Sequence, residues 1–496
     1  MKIDLLGGSY QDKYVQLNSQ RTINWYSNSS FSEQTESQET LSSTGNAREQ
    51  SKERKTLRPL PGLTLFASLE GSCGRGAFAI NGHAYVVVDN RFYEVYNDGS
   101  TAIRGLLSAS PVGTTRKVWF GANNENEIML ADNDVGYIYD MDTTVFSQIT
   151  DADFPGAETL TDQDGYFIVT KNGRVYWSNV LNGLSWTGVD VYTPSYKADK
   201  VKAVVSLQES LYNFGESTME VYFNNGTTFQ RMGRTSIQYG IAGVNTLQVV
   251  ANSIICVSRY DNGQPQVVQI APNNEIVTIS EPSIAYQIGK VKEIEDMHSF
   301  TFTSPDGHIF YVLTLPEADK TFVYDLTTKE WTEWSTFNGV QADGTYLYGK
   351  CFANHHMFLQ GSHYVTSSKD ANIYKLDFNA FTDNGNPIVR QRDTQIYHQE
   401  YKLITVHELE IDMNTGSGAL TGQGSEPRLM FQISKNGGKT FGQERLVRLS
   451  KLGDYDYRCK VRMLGSARNW VIRFKLSDPI DLSIIGARAR GSVGAY

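Results

Sequence analysis

Seven times between Ala84 and Leu376 the chain repeats one unit: an apolar strand, a short polar turn, a second strand and another turn. Ala84-Tyr-Val-Val-Val88 leads to Phe92-Tyr-Glu-Val-Tyr96, and Tyr166-Phe-Ile-Val169 leads through Asn172-Gly173 to Arg174-Val-Tyr-Trp177. The units start at 84, 128, 166, 211, 254, 309 and 357, so the intervals are 44, 38, 45, 43, 55 and 48 residues. A period of about 40–50 residues with several strands per copy is that of a β-propeller blade. The reason is radial: a four-stranded blade has apolar faces that it cannot bury alone, and its neighbours cover them. Asn-Gly and Asp-Gly supply the positive φ that tight hairpins need. The pattern predicts an all-β chain with a β-propeller of six or seven blades. An array of β-sandwiches would show similar short strands, but not the long period.

Composition supports a folded chain. Of 496 residues, 40% are hydrophobic and 12% aromatic, which excludes wholesale disorder. Four dispersed cysteines, Cys73, Cys256, Cys351 and Cys459, are too few for a disulfide scaffold and read as reduced thiols. No apolar run approaches the ~18 residues of a membrane-spanning helix. The start, MKIDLLGGSYQDKY, puts Asp4 and a Gly pair where a secretory leader would be apolar, so none is expected.

Two regions depart from the repeat. From Ser27 to Lys55 only one Phe and one Leu are large and apolar, which predicts a loop, or an arm that orders on a partner. From Asn386 onward strands continue without the period, and the charge changes sign. Residues 386–496 hold 17 Lys and Arg against 11 Asp and Glu, a net +6, which leaves −15 of the total −9 on the first 385 residues. These shifts predict an extended N-terminal segment (1–75) with its polar tract, a propeller (76–385) and a C-terminal β-sandwich-like domain (386–496).

Candidate chemistry is sparse. Ser434-Lys-Asn436-Gly437-Gly438-Lys-Thr440-Phe441 resembles the Asp-box turn of sialidase-like propellers, with Asn for Asp and Phe for Trp; its role there is structural. A sialidase also needs an arginine cluster, and nothing in the sequence places Arg75, Arg174 and Arg259 together. His355-His356 with His363 lacks a recognisable ligand spacing, and alternation puts adjacent histidines on opposite faces of a strand. His407-Glu408 lacks the second His of a zinc-protease helix. Gly71-Ser-Cys-Gly74-Arg75-Gly76 lacks the Gly-Lys-Ser/Thr ending of a phosphate loop and reads as a turn into the first blade. The expectation is no enzyme, no cofactor and no metal; the alternative is a sialidase-like or carbohydrate-binding propeller.

An ordered set of short motifs resembles a known family. Arg21-Thr-Ile-Asn24-Trp25-Tyr26, then Leu57-Arg-Pro-Leu-Pro61-Gly62-Leu63, then Gly74-Arg75-Gly76 look like the start of the packaged-DNA stabilisation proteins, or tail hub (nozzle) proteins, of short-tailed phages. Ser434-x-Asn436-Gly437-Gly438-x-Thr440-Phe441, Gly453-x-Tyr455-x-x-Arg458, Leu464-Gly465-x-Ala-Arg468, Ser477-Asp478-Pro479 and Ile485-Gly-Ala487 follow in the family's order. The family usually reads Asp-Gly-Gly and Trp in the first of these. The resemblance implies a structural virion protein, assembled in the host cytoplasm as a homohexameric ring below the portal and adaptor. It implies retention of packaged DNA, transient non-specific passage of the duplex, attachment of spikes or fibres and of a needle or plug, and no membrane-spanning segment. An acidic body suits such a conduit, since phosphate-neutralising contacts would hold the duplex. The basic C-terminal domain is then expected to pack on an acidic neighbour.

Overall fold

The computed structural model is built from strands and turns, with one α-helix, Pro282–Ile288, among the described residues. It describes residues 2–3, 5–11, 18–32, 52–108, 116–194, 199–260, 263–342, 344–400 and 402–494. Two compact units emerge: 63–321 with 350–377, and 1–62 with 322–349 and 378–496. Both are discontinuous in sequence.

The first unit is a propeller. Its first blade is Gly74–Ile80, His83–Val88, Arg91–Val95 and Thr101–Leu106, joined as an antiparallel meander. Four more four-stranded sheets follow in chain order, spanning 119–148, 159–192, 203–237 and 240–278. A sixth contributes the hairpin His298–Thr303 with Ile309–Leu315. The seventh consists of Ala353–Leu359, Ser362–Ser367 and Asn372–Asp377, and Gly62–Ser68 lies next to the last of these as its fourth strand. The first strand of each sheet touches the first strand of the next, and Ala353–Leu359 touches Gly74–Ile80. The ring therefore closes on seven blades. Six of the seven repeat starts read from the sequence fall on a blade's second strand; 357 falls on the first strand of the seventh.

Local chemistry explains the hairpins. At Asn81-Gly82, Asp164-Gly165 and Asn172-Gly173 both turn residues have φ between 51° and 82°. Asn, Asp and Gly tolerate this left-handed region, and the resulting turn matches the twist of the strands. Burial then joins the blades face to face. Tyr85, Val87 and Phe92 of the first blade pack with Ile128, Leu130, Tyr137 and Tyr139 of the second. Val86, Val88 and Tyr93 pack on the other side with Met357, Leu359 and Ile373 of the seventh. Each aliphatic side chain removed from water in this way contributes about 1.5–3 kcal/mol. The close fit excludes a Cβ at Gly76, which would lie 2.7 Å from the Phe120 ring and 2.8 Å from the Val118 carbonyl.

The second unit is a two-sheet sandwich. One sheet orders Trp25–Ser32, Lys52–Pro59, Ile484–Val493, Ile404–Met413 and Cys459–Ala467. The other runs Glu330–Glu333, Arg21–Ile23, Arg390–Asp393, Val471–Leu476, Arg428–Ser434 and Arg445–Arg448. Trp25, Leu409, Ile411, Phe431, Trp470, Phe474 and Ile484 share the core. The tract expected to loop from Ser27 to Lys55 is strand at both ends, because Trp25–Ser32 and Lys52–Pro59 pair antiparallel from Trp25↔Pro59 to Ser32↔Lys52. Its residues 33–51 lie outside the described residues. Backbone pairing needs no apolar side chains, which is why a polar composition reads as coil there.

Asn24 is the corner between the sheets. Its φ is +58°, and it separates Arg21–Ile23 in one sheet from Trp25–Ser32 in the other. Its side-chain amide donates to the carbonyls of Ser335 and Val389, both at 2.9 Å, and its Oδ1 accepts from Ser335 N at 2.8 Å. Its own N–H donates to the Glu333 carbonyl, and its carbonyl accepts from Leu60 N. A residue that tolerates the left-handed region and carries both donor and acceptor meets this demand. Further in, the buried Arg392 guanidinium donates to the carbonyls of Leu5, Leu6, Gly7 and Gly8, pinning the N-terminal strand of chain to the sandwich.

Candidate functional site

The Ser434–Phe441 segment forms a turn locked by side chains. The Ser434 hydroxyl accepts from Gly438 N at 2.9 Å, and Asn436 Oδ1 accepts from Thr440 N at 3.0 Å. Asn436 Nδ2 donates to the Thr440 hydroxyl at 2.7 Å, and Ser434 Oγ donates to Asn436 Oδ1 at 2.8 Å. Gly437 and Gly438 have φ of +71° and +88°, which a β-branched residue adopts only under strain. Phe441 does not plug a core. It lies 3.5 Å beneath the Arg473 guanidinium, which also grips Asp393 through two bonds of 2.7 and 2.6 Å.

The other family-like positions also support structure. Trp25 is fully buried against Phe474, and Tyr26 is 2% exposed. Pro61 is buried, and a Cβ on Gly62 would meet the Ala380 carbonyl at 2.5 Å. Leu464 is in the sandwich core, while Gly453 and Gly465 hold turns at φ of +80° and +83°. Asp478 accepts from Arg428 N at 2.9 Å, and Pro479 packs by Gly424. In the propeller, Arg75 is 0% exposed. It donates to Asp132 and to the carbonyls of Asp89 and Arg116, each at 2.7 Å, clamping the first blade to the entry of the second. A guanidinium so enclosed cannot grip a substrate carboxylate, so it does not join Arg174 and Arg259 in an arginine cluster. His355 and His356 diverge as alternation requires: His355 is buried, and His356 meets His363 at 2.8 Å.

One group of residues faces outward. In the sandwich sheet, Glu408 stands between Arg462 and Arg490, and Glu410 between Lys460 and Arg488. Arg462 bonds Glu408 at 2.7 Å, and Arg458 holds Glu410 through two bonds of 2.6 and 2.7 Å. These bonds keep both carboxyls below the usual carboxylate range. Five cations thus surround two anions on one sheet face. Met463, 86% exposed, and Tyr455, 73% exposed, flank it. Arg, Tyr and Met are the side chains that protein interfaces favour. Of this face the motifs pick out only Arg458 and Tyr455. The missed signal is charge at every second residue, in Glu408-x-Glu410, Lys460-x-Arg462 and Arg488-x-Arg490, which marks the outer side of a strand.

Charge differs between the units. The propeller unit carries 19 Lys and Arg against 31 Asp and Glu, a net −12; the sandwich unit carries 26 against 23, a net +3.

Comparison with known proteins also distinguishes a propeller from a sandwich. A family model described as Bacteriophage P22 Gp10, beta-propeller, matches residues 44–381, and one described as Bacteriophage P22 Gp10, beta-sandwich, matches 389–492. No curated protein sequence matches the chain. Among solved structures, virginiamycin B lyase from Staphylococcus aureus is similar at 11% identity and a TM-score of 0.40, over 64% of this chain and 97% of that one. The Neurospora crassa Pan2 WD40 domain is similar at 9% identity and a TM-score of 0.41, over 63% and 94%. Likenesses at that level carry no functional argument. With both its propeller and its sandwich matched in order, the chain belongs to the bacteriophage P22 Gp10 family, the tail hub or nozzle proteins of short-tailed phages.

Proposed function

We propose that this chain is a structural subunit of a homohexameric hub below the portal and adaptor, which closes the filled head, retains the packaged DNA and forms part of the ejection conduit. The observation that carries the reading is the charge division: a −12 propeller unit and a sandwich face with five cations around two anions on the same chain. A positive patch and a negative body on one subunit are complementary head to tail, and head-to-tail contacts close into rings when the rotation permits. Electrostatic complementarity also fixes register and suppresses wrong pairings. An acidic body in the conduit would let the duplex slide, because it releases no counterions by neutralising phosphates. The role is one of assembly and passage, without a catalytic step. Spikes or fibres and a needle or plug are the further partners on this reading.

Negative-stain imaging of the protein on a portal–adaptor complex tests it. Sixfold rings are expected. The double variant Arg458→Glu, Arg490→Glu should abolish ring formation while leaving the thermal unfolding curve in place. Rings that form equally well with that variant would overturn the electrostatic account, and an absence of rings with the unaltered protein would overturn the hub.

A further inference from the structure

The acidic propeller holds a cationic pocket on its axis. A cavity of about 790 Å³ is lined from all seven blades, mostly by residues in or just before each blade's first strand. Its basic side chains are Arg116, Lys117, Lys202 and Lys350, with His298 and His355 beside them. Two of the four cations are already neutralised. Arg116 pairs with Asp132 at 3.0 Å, and Lys202 with Glu216 at 3.3 Å. Lys117 and Lys350 have no carboxylate within 4 Å among the described residues. Lys117 instead lies 3.9 Å over the Trp119 ring.

These groups sense one another. Burial brings Lys117 down to about 8. Burial, together with the Lys350 and Lys117 charges, brings His298 down to about 4, although His298 also contacts the Asp296 carbonyl. Burial and then Lys117 hold His355 well below its ordinary value. Burial disfavours the charge on Lys117, the lysine charges disfavour protonation of His298 and His355, and an anion placed among these groups relieves both effects.

We propose that this axial cavity binds a small phosphate-class oxyanion, held between the ammonium groups of Lys117 and Lys350. Two ammoniums on one cavity with no carboxylate partner among the described residues call for two negative charges on one centre, which inorganic phosphate or a terminal phosphomonoester carries near pH 7. The volume lies in the range of small-molecule sites. The carboxylates that also line it set a size limit. Lys171 holds Glu158 at 3.6 Å, whereas Glu295 and Asp296 stand beside the cavity and would repel an extended polyanion. A long nucleic-acid backbone is therefore a poor occupant.

Isothermal titration calorimetry of the full chain tests this, with inorganic phosphate and a 5′-phosphorylated dinucleotide run in parallel at ionic strength matched by sodium chloride. Saturable binding of one ligand per chain is expected for at least one of them, weakened at least tenfold by Lys117→Met and likewise by Lys350→Met. Whichever ligand binds more tightly identifies the source of the phosphate. Circular dichroism confirms that each variant is folded, and if one is not, the other decides. No saturable binding, or binding that a folded variant leaves unchanged, overturns the proposal.

Discussion

The propeller and the sandwich solve the same problem, covering strand faces, by opposite routes. In the propeller the first five sheets are meanders whose neighbours in space are neighbours in sequence, and repetition covers their faces with the next copy. In the sandwich, the partners of Arg21–Ile23 are Glu330–Glu333 and Arg390–Asp393, some three hundred residues away. The propeller accordingly relies on repeated apolar clusters. The sandwich relies on single polar residues placed where segments from distant parts of the chain meet, as Asn24 and Arg392 show. The lesson is that local repetition tolerates variation in any one copy, whereas a composite domain concentrates its specification in a few side chains.

Five measurements would break or sharpen that contrast, the first three read by peptide-resolved hydrogen exchange so that the two units are followed separately and the last two by denaturant unfolding. The largest effect should come from acid on the propeller. Burial holds folded His298 at about 4 and His356 at about 3, and folded His355 also lies well below its value in the unfolded chain. The unfolded state therefore binds more protons once the pH drops below about 6.5. Propeller stability should be complete above that value and decline as the pH falls towards 4 and 3. A propeller equally protected at pH 7 and pH 5 would refute this.

Next is Arg75→Met, which leaves the buried Asp132 with only the half-exposed Arg116 and takes the donor from the Asp89 and Arg116 carbonyls. Breaking such a pair costs about 3–5 kcal/mol, and the loss should appear in the first two blades. Asn24→Ala removes three side-chain hydrogen bonds and leaves buried backbone groups of Ser335 and Val389 unpaired. A loss of about 2–4 kcal/mol is expected in the sandwich, with the propeller unmoved. Gly438→Val forces a β-branched residue to φ near +88°. It should cost the sandwich about 1–3 kcal/mol by denaturant unfolding, and an unchanged curve would count against the turn's importance. The smallest effect on stability should come from Arg458→Ala. Its pair with Glu410 is exposed, and the sandwich should unfold at the same denaturant concentration as before.

The same contrast explains what the sequence discloses. The seven repeat starts are legible because a blade's alternation and turns are local. Trp331-Thr-Glu-Trp334 reads as the end of the sixth repeat, and Glu330–Glu333 does pair with Lys320–Asp325; what the repeat does not announce is Arg21–Ile23 on the other edge of that strand. Pairing over such a distance leaves no periodic trace. The turn at Ser434–Phe441 is visible because all of its bonds fall within five residues. The Arg473 that caps Phe441, and the Asp393 that aims Arg473, are invisible for the opposite reason. The axial pocket gathers single residues from seven blades, so its lysines carry no common motif.

The strand Gly62–Ser68, made early, is the last piece of the last blade. During synthesis it must wait, unpaired along that edge, until Asn372–Asp377 has left the ribosome. Throughout that interval the first blade's outer apolar face, with Val86, Val88 and Tyr93, is also without its cover from Met357, Leu359 and Ile373. The nascent ring thus exposes two adhesive surfaces for the time taken to translate about three hundred residues, tens of seconds at ordinary elongation rates. Cells making many copies at once bring such open rings together at high local concentration. Slowing translation near the end of the propeller should therefore lower the yield of soluble protein more than slowing it after Asp377.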